Sequence, residues 1–173
     1  IARRLILRTQ TTAVSVRELA SGPELPLKIF CIDHVFRPEV LDKTHSMDFY
    51  QCEGVVLDEG LNFRHLLGFL KSLILELGFE EERIRFKPGY FPFTEPSVEA
   101  HVWLEGLGWV EVLGAGLFRP EVLEPLGFDS DKYGALAWGI GVDRLAMARL
   151  GIDDIRELHT RDLEFLRSFR PRR

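Results

Sequence analysis

Cysteine is scarce: Cys31 and Cys52 are the two in 173 residues. That number excludes a disulfide framework and the metal motifs built on paired thiols. Both lie in apolar stretches, so they read as buried free thiols in a reducing compartment, and a cytoplasmic location is expected. No apolar run reaches the roughly 18 residues of a membrane span, so no membrane partner is expected. No signal peptide is visible, and the chain opens on Ile1 rather than Met, so it is expected to be a piece of a longer protein. There is no P-loop and no GxGxxG. Any phosphate must then be held by side chains rather than by a glycine cradle. Internal repeats and low-complexity segments are lacking too. The formal net charge of -5 argues against a protein that binds nucleic acid mainly by counterion release. The exception is a basic C-terminal end, Arg161, Arg167, Arg170, Arg172 and Arg173, which reads as a solvated tail or as a contact for nucleic acid.

What is present is a chain of one-domain length with 46% hydrophobic and 28% charged residues, enough for a sizeable core. A helix is expected within Thr9–Ala20, closed by Ser21-Gly22-Pro23. Leu27–Phe36 is apolar on both faces, as in a central strand, and Met47–Leu57 is its antiparallel partner. The clearest helix is Asn62–Leu77: Leu66, Leu70, Leu73, Ile74 and Leu77 recur at helical spacing, with Asn62 as N-cap and Gly78 as stop. Arg83–Lys87, Val98–Glu105, Trp109–Leu113 and Ala135–Gly141 read as strands, with a tight Gly114-Ala115-Gly116 after the third. Pro88–Pro96 holds too many prolines for a regular interior strand. Pro120–Leu126, Val142–Leu150 and Thr160–Phe169 read as helices. Strands joined more often by hairpin-length links than by helices predict an α+β fold, an antiparallel sheet with helices packed on it.

The chemistry concentrates in Phe36–Glu53, FRPEVLDKTHSMDFYQCE. Read as strand, loop and returning strand, it places Arg37 and Glu39 on one face of the outgoing strand. Phe49, Gln51 and Glu53 share one face of the returning strand, with Lys43 and His45 in the loop between. A cation, an acid, an aromatic ring and a carboxamide–carboxylate pair make a poor core face. They are what a nucleotide together with an amino acid would need. In Ala135–Met147, ALAWGIGVDRLAM, Gly139 and Gly141 would let a flat ligand approach the backbone. Arg144 follows at a helix start, where a guanidinium can stack on a purine. Taken alone, this stretch reads first as a Gly-rich strand end with a surface Arg, since a lone glycine pair is a weak signal.

FRPE with the following His and FxQxE resembles motif 2 of the class II aminoacyl-tRNA synthetases, and GIGVDRLAM resembles their motif 3. LRTQTTAV, YFPFTEPS, WVEVLGAG and GIDDIRELHTRDLEFLRSF are similar to the α subunits of phenylalanyl-tRNA synthetases. The similarity covers nearly the whole chain. It implies an antiparallel sheet flanked by helices. It also implies that residues 1–173 form a single catalytic domain without the family's motif 1 and without its N-terminal tRNA-binding region. Implied with it are ATP and Mg²⁺, the substrates phenylalanine and tRNA(Phe), and a β-subunit partner in an α2β2 assembly.

The resemblance also implies roles. Arg37 and Arg144 are the catalytic cations. Arg37 holds the α-phosphate and the substrate carboxylate, a bidentate task for a guanidinium. Glu39 accepts from the adenine amino group, Phe49 stacks on the base, His45 and Arg144 meet the outer phosphates, and Gly141 lines the nucleotide. Glu111 is the candidate Mg²⁺ carboxylate. Gln51 and Glu53 hold the substrate ammonium, with Thr12 and Gln10 adding hydrogen bonds; the family often has His at the position of Gln10. Read without the family, Glu53 is a surface acid on an edge strand. Phe91 and Phe93, two apart in an extended segment, are walls of a phenyl pocket or ordinary core aromatics. Ala137 matches the small residue at the pocket floor. Two other readings stand beside this one. A phosphoserine-activating relative would need hydroxyls and cations where YFPF offers aromatics. A non-catalytic paralogue would be expected to have lost the motif 2 or motif 3 arginine, and Arg37 and Arg144 both stand.

Overall fold

The computed structural model describes residues 4–105 and 108–171; Arg172 and Arg173 of the basic end lie outside the described residues. Six strands form one sheet: β1 (Leu27–Phe36), β2 (Asp48–Glu59), β3 (Ile84–Phe91), β4 (Thr94–Leu104), β5 (Gly108–Phe118) and β6 (Tyr133–Gly141). Their order is β1-β2-β6-β5-β4-β3. β3–β4, β4–β5 and β5–β6 pair antiparallel. Among the described residues five α-helices accompany them: α1 (Thr12–Ala20), α2 (Phe63–Glu76), α3 (Pro120–Leu123), α4 (Val142–Leu150) and α5 (Leu163–Ser168). The α+β, mainly antiparallel architecture expected from the link lengths is the one observed. No helix among the described residues is long and apolar enough to cross a membrane.

Several local readings need correction. β1 is an edge strand of this sheet, not a central one, and it leaves Phe30 74% and Ile32 55% exposed. Hydropathy reports apolar faces but not whether a neighbouring strand exists. Pro88 and Pro96 lie inside β3 and β4. β3 is the other edge, where a missing N–H is tolerated, and the ladder shifts register beside both prolines. Gly114 and Gly116 belong to β5 rather than to a turn. Cys31 and Cys52 form no disulfide among the described residues and are half-buried rather than buried. The last helix is shorter than expected and begins at Leu163, because Asp162 caps it through the N–H groups of Glu164 and Phe165.

The chain divides into two compact units. One comprises Ile1–Thr11, Ile32–Cys52 and Gly141–Arg173; the other comprises Thr12–Cys31 and Glu53–Ile140. In the second, the expected long helix forms as α2. The Asn62 side chain accepts from the N–H groups of Arg64 and His65, and His65 reaches back to the Asn62 N–H. At its other end Gly78, at φ 88°, lets its own N–H bond Leu75 and that of Phe79 bond Ile74, a Schellman closure. Leu66, Leu70 and Ile74 are the buried stripe.

The two sheet faces of this unit are told apart by what glycines accommodate. A Cβ on Gly54 would stand 2.1 Å from Trp138, whose ring lies 4.4 Å from Phe69 of α2. Residues one place along, on the opposite face, pack with α1: Leu19, Leu27, Val55, Leu57, Ala135 and Ala137 share one buried cluster. The first unit has its own small core of Met147, Ile152 and Ile155, with Leu150, Leu158 and Phe169 against it.

Candidate active site

In the first unit β1 ends at Phe36, and Pro38, which has no N–H, prevents its continuation. Arg37 and Glu39 therefore sit in the loop and do not share a strand face as the alternation predicted. The Arg37 N–H still bonds Met47 O at 2.9 Å, and the Glu39 N–H folds back on Arg37 O at 2.8 Å. The Arg37 side chain donates from Nε to Thr9 O at 3.2 Å, and its guanidinium carbon lies 5.0 Å from the Phe49 ring centroid.

The loop tip is tied by Asp42. Its Oδ1 accepts from the backbone N–H groups of Thr44 at 2.7 Å and His45 at 2.8 Å. Its Oδ2 lies 2.9 Å from His45 Nδ1. These bonds, the Thr44 N–H first, lower the Asp42 pKa to about 2. From α4, Arg144 Nε donates to Thr44 O at 3.4 Å, so Arg144 and His45 meet at the same tip. Ile155 N donates to Lys43 O at 2.8 Å and holds the other side of the loop. Gly141 has open space where a Cβ would stand. Gln51 is buried, and its Oε1 has no hydrogen-bond partner among the described residues. Gln10 is half-buried.

The second unit contains a buried carboxylate. Glu53 is 6% exposed, which disposes of its reading as a surface acid. Thr12 Oγ1 donates to its Oε2 at 2.6 Å and Ser15 Oγ to its Oε1 at 3.0 Å, both from the first turn of α1. Glu53 stands two residues before Val55 on the α1-facing side of β2. Ala137 packs in the same cluster as Val55, and its ladder partner on β5 is Gly116. Side chains opposed in a ladder point to one face. The absent side chains of Gly116 and Gly114 are replaced there by Thr94 and by the Phe91 ring, 2.4 and 2.5 Å from where the Cβ atoms would be. Glu53, Ala137, Thr94 and Phe91 therefore line one face: a carboxylate at one place and an apolar wall at another.

Phe93 behaves differently. Pro92 and Phe93 make the two-residue turn between β3 and β4, so Phe91 and Phe93 are not alternate positions of one extended segment. Phe93 is 42% exposed at the turn. Glu111 is half-buried on β5, opposite His101 of β4. His101 is buried and has its pKa lowered, by burial first and then by Lys87. Among the described residues no group of three or more His, Cys, Asp or Glu could by itself hold a metal ion.

Three residues escaped the sequence reading. Ser15 lies one turn beyond Thr12 on the same helix face, a spacing that was there to be read. Asp42 stands two before Thr44, the usual offset for a side chain that caps a turn. Asp143 is buried next to Arg144 and accepts the Tyr50 N–H at 2.6 Å. No sequence signal links positions so far apart.

Residues 1–169 match the family model described as "tRNA synthetases class II core domain (F)". The chain is similar to "Phenylalanine--tRNA ligase alpha subunit" of Methanocaldococcus jannaschii, with 57% identity over 171 residues, 96% of this chain and 35% of that protein. The protein of the same name from Archaeoglobus fulgidus is 56% identical over 167 residues, 96% of this chain and 34% of its own length. That from Saccharolobus solfataricus is 53% identical over 167 residues, covering 96% and 35%. The chain thus spans about a third of the length of the curated relatives it matches. With the family model running over nearly every residue and the sheet of the expected kind beneath it, the chain belongs to the class II core domain family of tRNA synthetases.

Proposed function

We propose that this domain activates L-phenylalanine with ATP and serves in transfer of the product to the 3′ end of tRNA(Phe). The phenylalanine carboxylate oxygen attacks the α-phosphorus of ATP, the bond to the β-phosphate oxygen breaks, and pyrophosphate leaves. A hydroxyl of the tRNA end then attacks the carbonyl carbon of the phenylalanyl-adenylate, and AMP leaves. Two anions must meet in the first step, so the site has to cancel charge and align groups.

The observation that carries this reading is Glu53. A buried carboxylate held by two hydroxyls, on the face that also presents Phe91 and Ala137, suits a ligand with a cation at one end and a phenyl ring at the other. In this proposal Gln51 and Glu53 hold the ammonium, Thr12 and Gln10 add hydrogen bonds, Phe91 and Phe93 flank the ring, and Ala137 is the floor. Arg37 holds the α-phosphate, Glu39 reads the adenine amino group, Phe49 stacks on the base, Gly141 lines it, and His45 and Arg144 meet the outer phosphates. Mg²⁺ arriving on ATP needs only one or two protein carboxylates, and Glu111 is the candidate. The name alpha subunit borne by the relatives supports a β-subunit partner; an α2β2 assembly and a cytoplasmic location belong to the same proposal.

The test is ATP–pyrophosphate exchange by the full-length subunit with its partner. Exchange with phenylalanine, and little with tyrosine or phosphoserine, is expected. Exchange that depends on phosphoserine would overturn the substrate assignment.

A further inference from the structure

β6 ends at Gly141, and two residues later Asp143 turns its carboxylate onto β2. Its Oδ2 accepts the Tyr50 N–H at 2.6 Å. Asp143 is 6% exposed, while Tyr50, whose backbone it holds, is 43% exposed. The buried charge is thus spent on a main-chain group and not on the Tyr50 side chain. Tyr50 stands between Phe49 and Gln51, and Asp143 immediately precedes Arg144. One hydrogen bond therefore joins the strand carrying the stacking ring to the helix carrying the motif 3 guanidinium. The other oxygen, Oδ1, lies 3.5 Å from His159 Nε2, beyond a good hydrogen bond.

We infer that Asp143 is a positioning residue for the nucleotide: its bond to the Tyr50 amide sets the distance between Phe49 and Arg144. This rests on the adenylation reading above. A hydrogen bond to a charged acceptor is stronger than a neutral one, and a buried carboxylate that lost it would be left with an unmet desolvation cost. The bond is therefore hard to break without moving one of the two elements. Small displacements matter at such a site, because aligning reacting groups accounts for much of the rate. Two further links in the same unit act in the same sense: Arg144 Nε to Thr44 O at 3.4 Å and Ile155 N to Lys43 O at 2.8 Å. Both reach the loop tip, whereas the Asp143 bond reaches the strand itself.

The experiment uses the full-length subunit with its partner and two independent readouts. Amide hydrogen exchange resolves the Tyr50 N–H, which in the wild type is protected like its ladder neighbours. In Asp143→Ala it exchanges roughly tenfold faster, while Val55–Leu57 stay unchanged. Pyrophosphate exchange gives the Michaelis constants. Asp143→Ala raises that for ATP roughly tenfold or more. Asp143→Asn keeps an oxygen for the amide and restores most of the loss. Tyr50→Phe and His159→Gln leave the ATP value near wild type, since neither removes the bond. An unprotected Tyr50 amide in the wild type overturns the inference without any variant. So does Asp143→Ala with an unmoved ATP constant, or His159→Gln matching Asp143→Ala. A protected amide in a wild-type enzyme that performs no exchange at all refutes the adenylation reading, and the positioning role with it, while leaving the bond itself established.

Discussion

The guanidinium carbon of Arg37 lies 5.0 Å from the centroid of the Phe49 ring, so the side chains assigned to the α-phosphate and to the adenine touch each other. Both residues are half-buried, and such a contact is worth about 0.5–2 kcal/mol, which a bound nucleotide can offset. Arg37→Ala is expected to cost about 3 kcal/mol in kcat/KM for exchange, as for loss of a main electrostatic donor. Arg37→Lys should recover little, because a point charge cannot reproduce the planar fork. Phe49→Leu should weaken ATP by roughly 1–3 kcal/mol, the usual loss of one stacked base. Near-normal exchange by Arg37→Lys would remove Arg37 from the phosphate.

In the proposed reaction Glu53 is the residue that should separate the two substrates. Its oxygens accept from Thr12 at 2.6 Å and Ser15 at 3.0 Å. Glu53→Gln should raise the Michaelis constant for phenylalanine by about 1.5–3 kcal/mol, the worth of a charged hydrogen bond, with that for ATP little changed. Ser15→Ala should move the same constant by roughly 1 kcal/mol. If both variants weaken ATP instead, Glu53 belongs to the nucleotide end.

Two glycines should respond oppositely to the same methyl group. At Gly54 a Cβ would stand 2.1 Å from Trp138, whose ring is held against Phe69 at 4.4 Å. Gly54→Ala is expected to destabilise by about 1–3 kcal/mol, an overpacking cost. Gly68 lies within α2 with nothing within 4 Å of where a Cβ would be. Gly68→Ala should therefore stabilise by about 0.8–1 kcal/mol through helix propensity. Denaturant unfolding of the two variants reads the difference; equal signs would contradict the packing at Gly54.

The loop tip should resist acid. The Asp42 pKa is lowered to about 2, chiefly by the Thr44 N–H. A carboxyl with a depressed folded value contributes to order above its unfolded pKa and loses that contribution as pH falls through its folded one. The contribution should thus be complete above about 4 and be lost near 2. The amide shift of Thr44, followed by NMR from pH 5 downward, should show no carboxyl transition until below 4. A transition centred near 4 would show that Asp42 does not hold the tip.

The legible parts of this molecule were those set by local rules. α2 could be read with both its caps, because Asn62, Gly78 and the leucine spacing act within a few residues. β2 could be read by alternation, and with it Phe49, Gln51 and Glu53. Arg37 and Glu39 were misplaced as geometry, since Pro38 ends the ladder sooner than alternation allows. Phe91 and Phe93 failed for a similar reason: the two-residue turn at Pro92-Phe93 splits what looked like one extended piece. β1 failed for a different one. Phe30 and Ile32 carry the hydropathy of an interior strand on a strand at the sheet edge, and neighbours are a property of topology. The bond from Asp143 to the Tyr50 amide lay beyond reach altogether, because it joins positions distant in the chain through a main-chain group that has no sequence signature.

Ala137 tests the substrate assignment most directly. It is 6% exposed, opposite Gly116, on the face that carries Phe91 and Thr94. If it is the pocket floor, its methyl limits how far a para substituent can reach. Ala137→Gly removes that methyl and should admit para-chloro- and para-bromo-phenylalanine while keeping phenylalanine. A difference of this size in an apolar pocket is worth only about 1–3 kcal/mol, so the gain should be partial. Ala137 also packs with Val55, Leu19 and Ala135, so the same change should cost stability, on the order of 0.5–1 kcal/mol for glycine in a strand. Ala137→Val should raise the Michaelis constant for phenylalanine and exclude the halogenated analogues. Tyrosine should remain a poor substrate of the wild type, because its hydroxyl would be buried against a methyl with no partner, a cost of about 1–3 kcal/mol. Exchange assays with phenylalanine, para-chloro-phenylalanine and tyrosine across the three proteins decide the matter. If Ala137→Gly loses stability but leaves the substrate ranking untouched, Ala137 is core alone and the ring binds elsewhere.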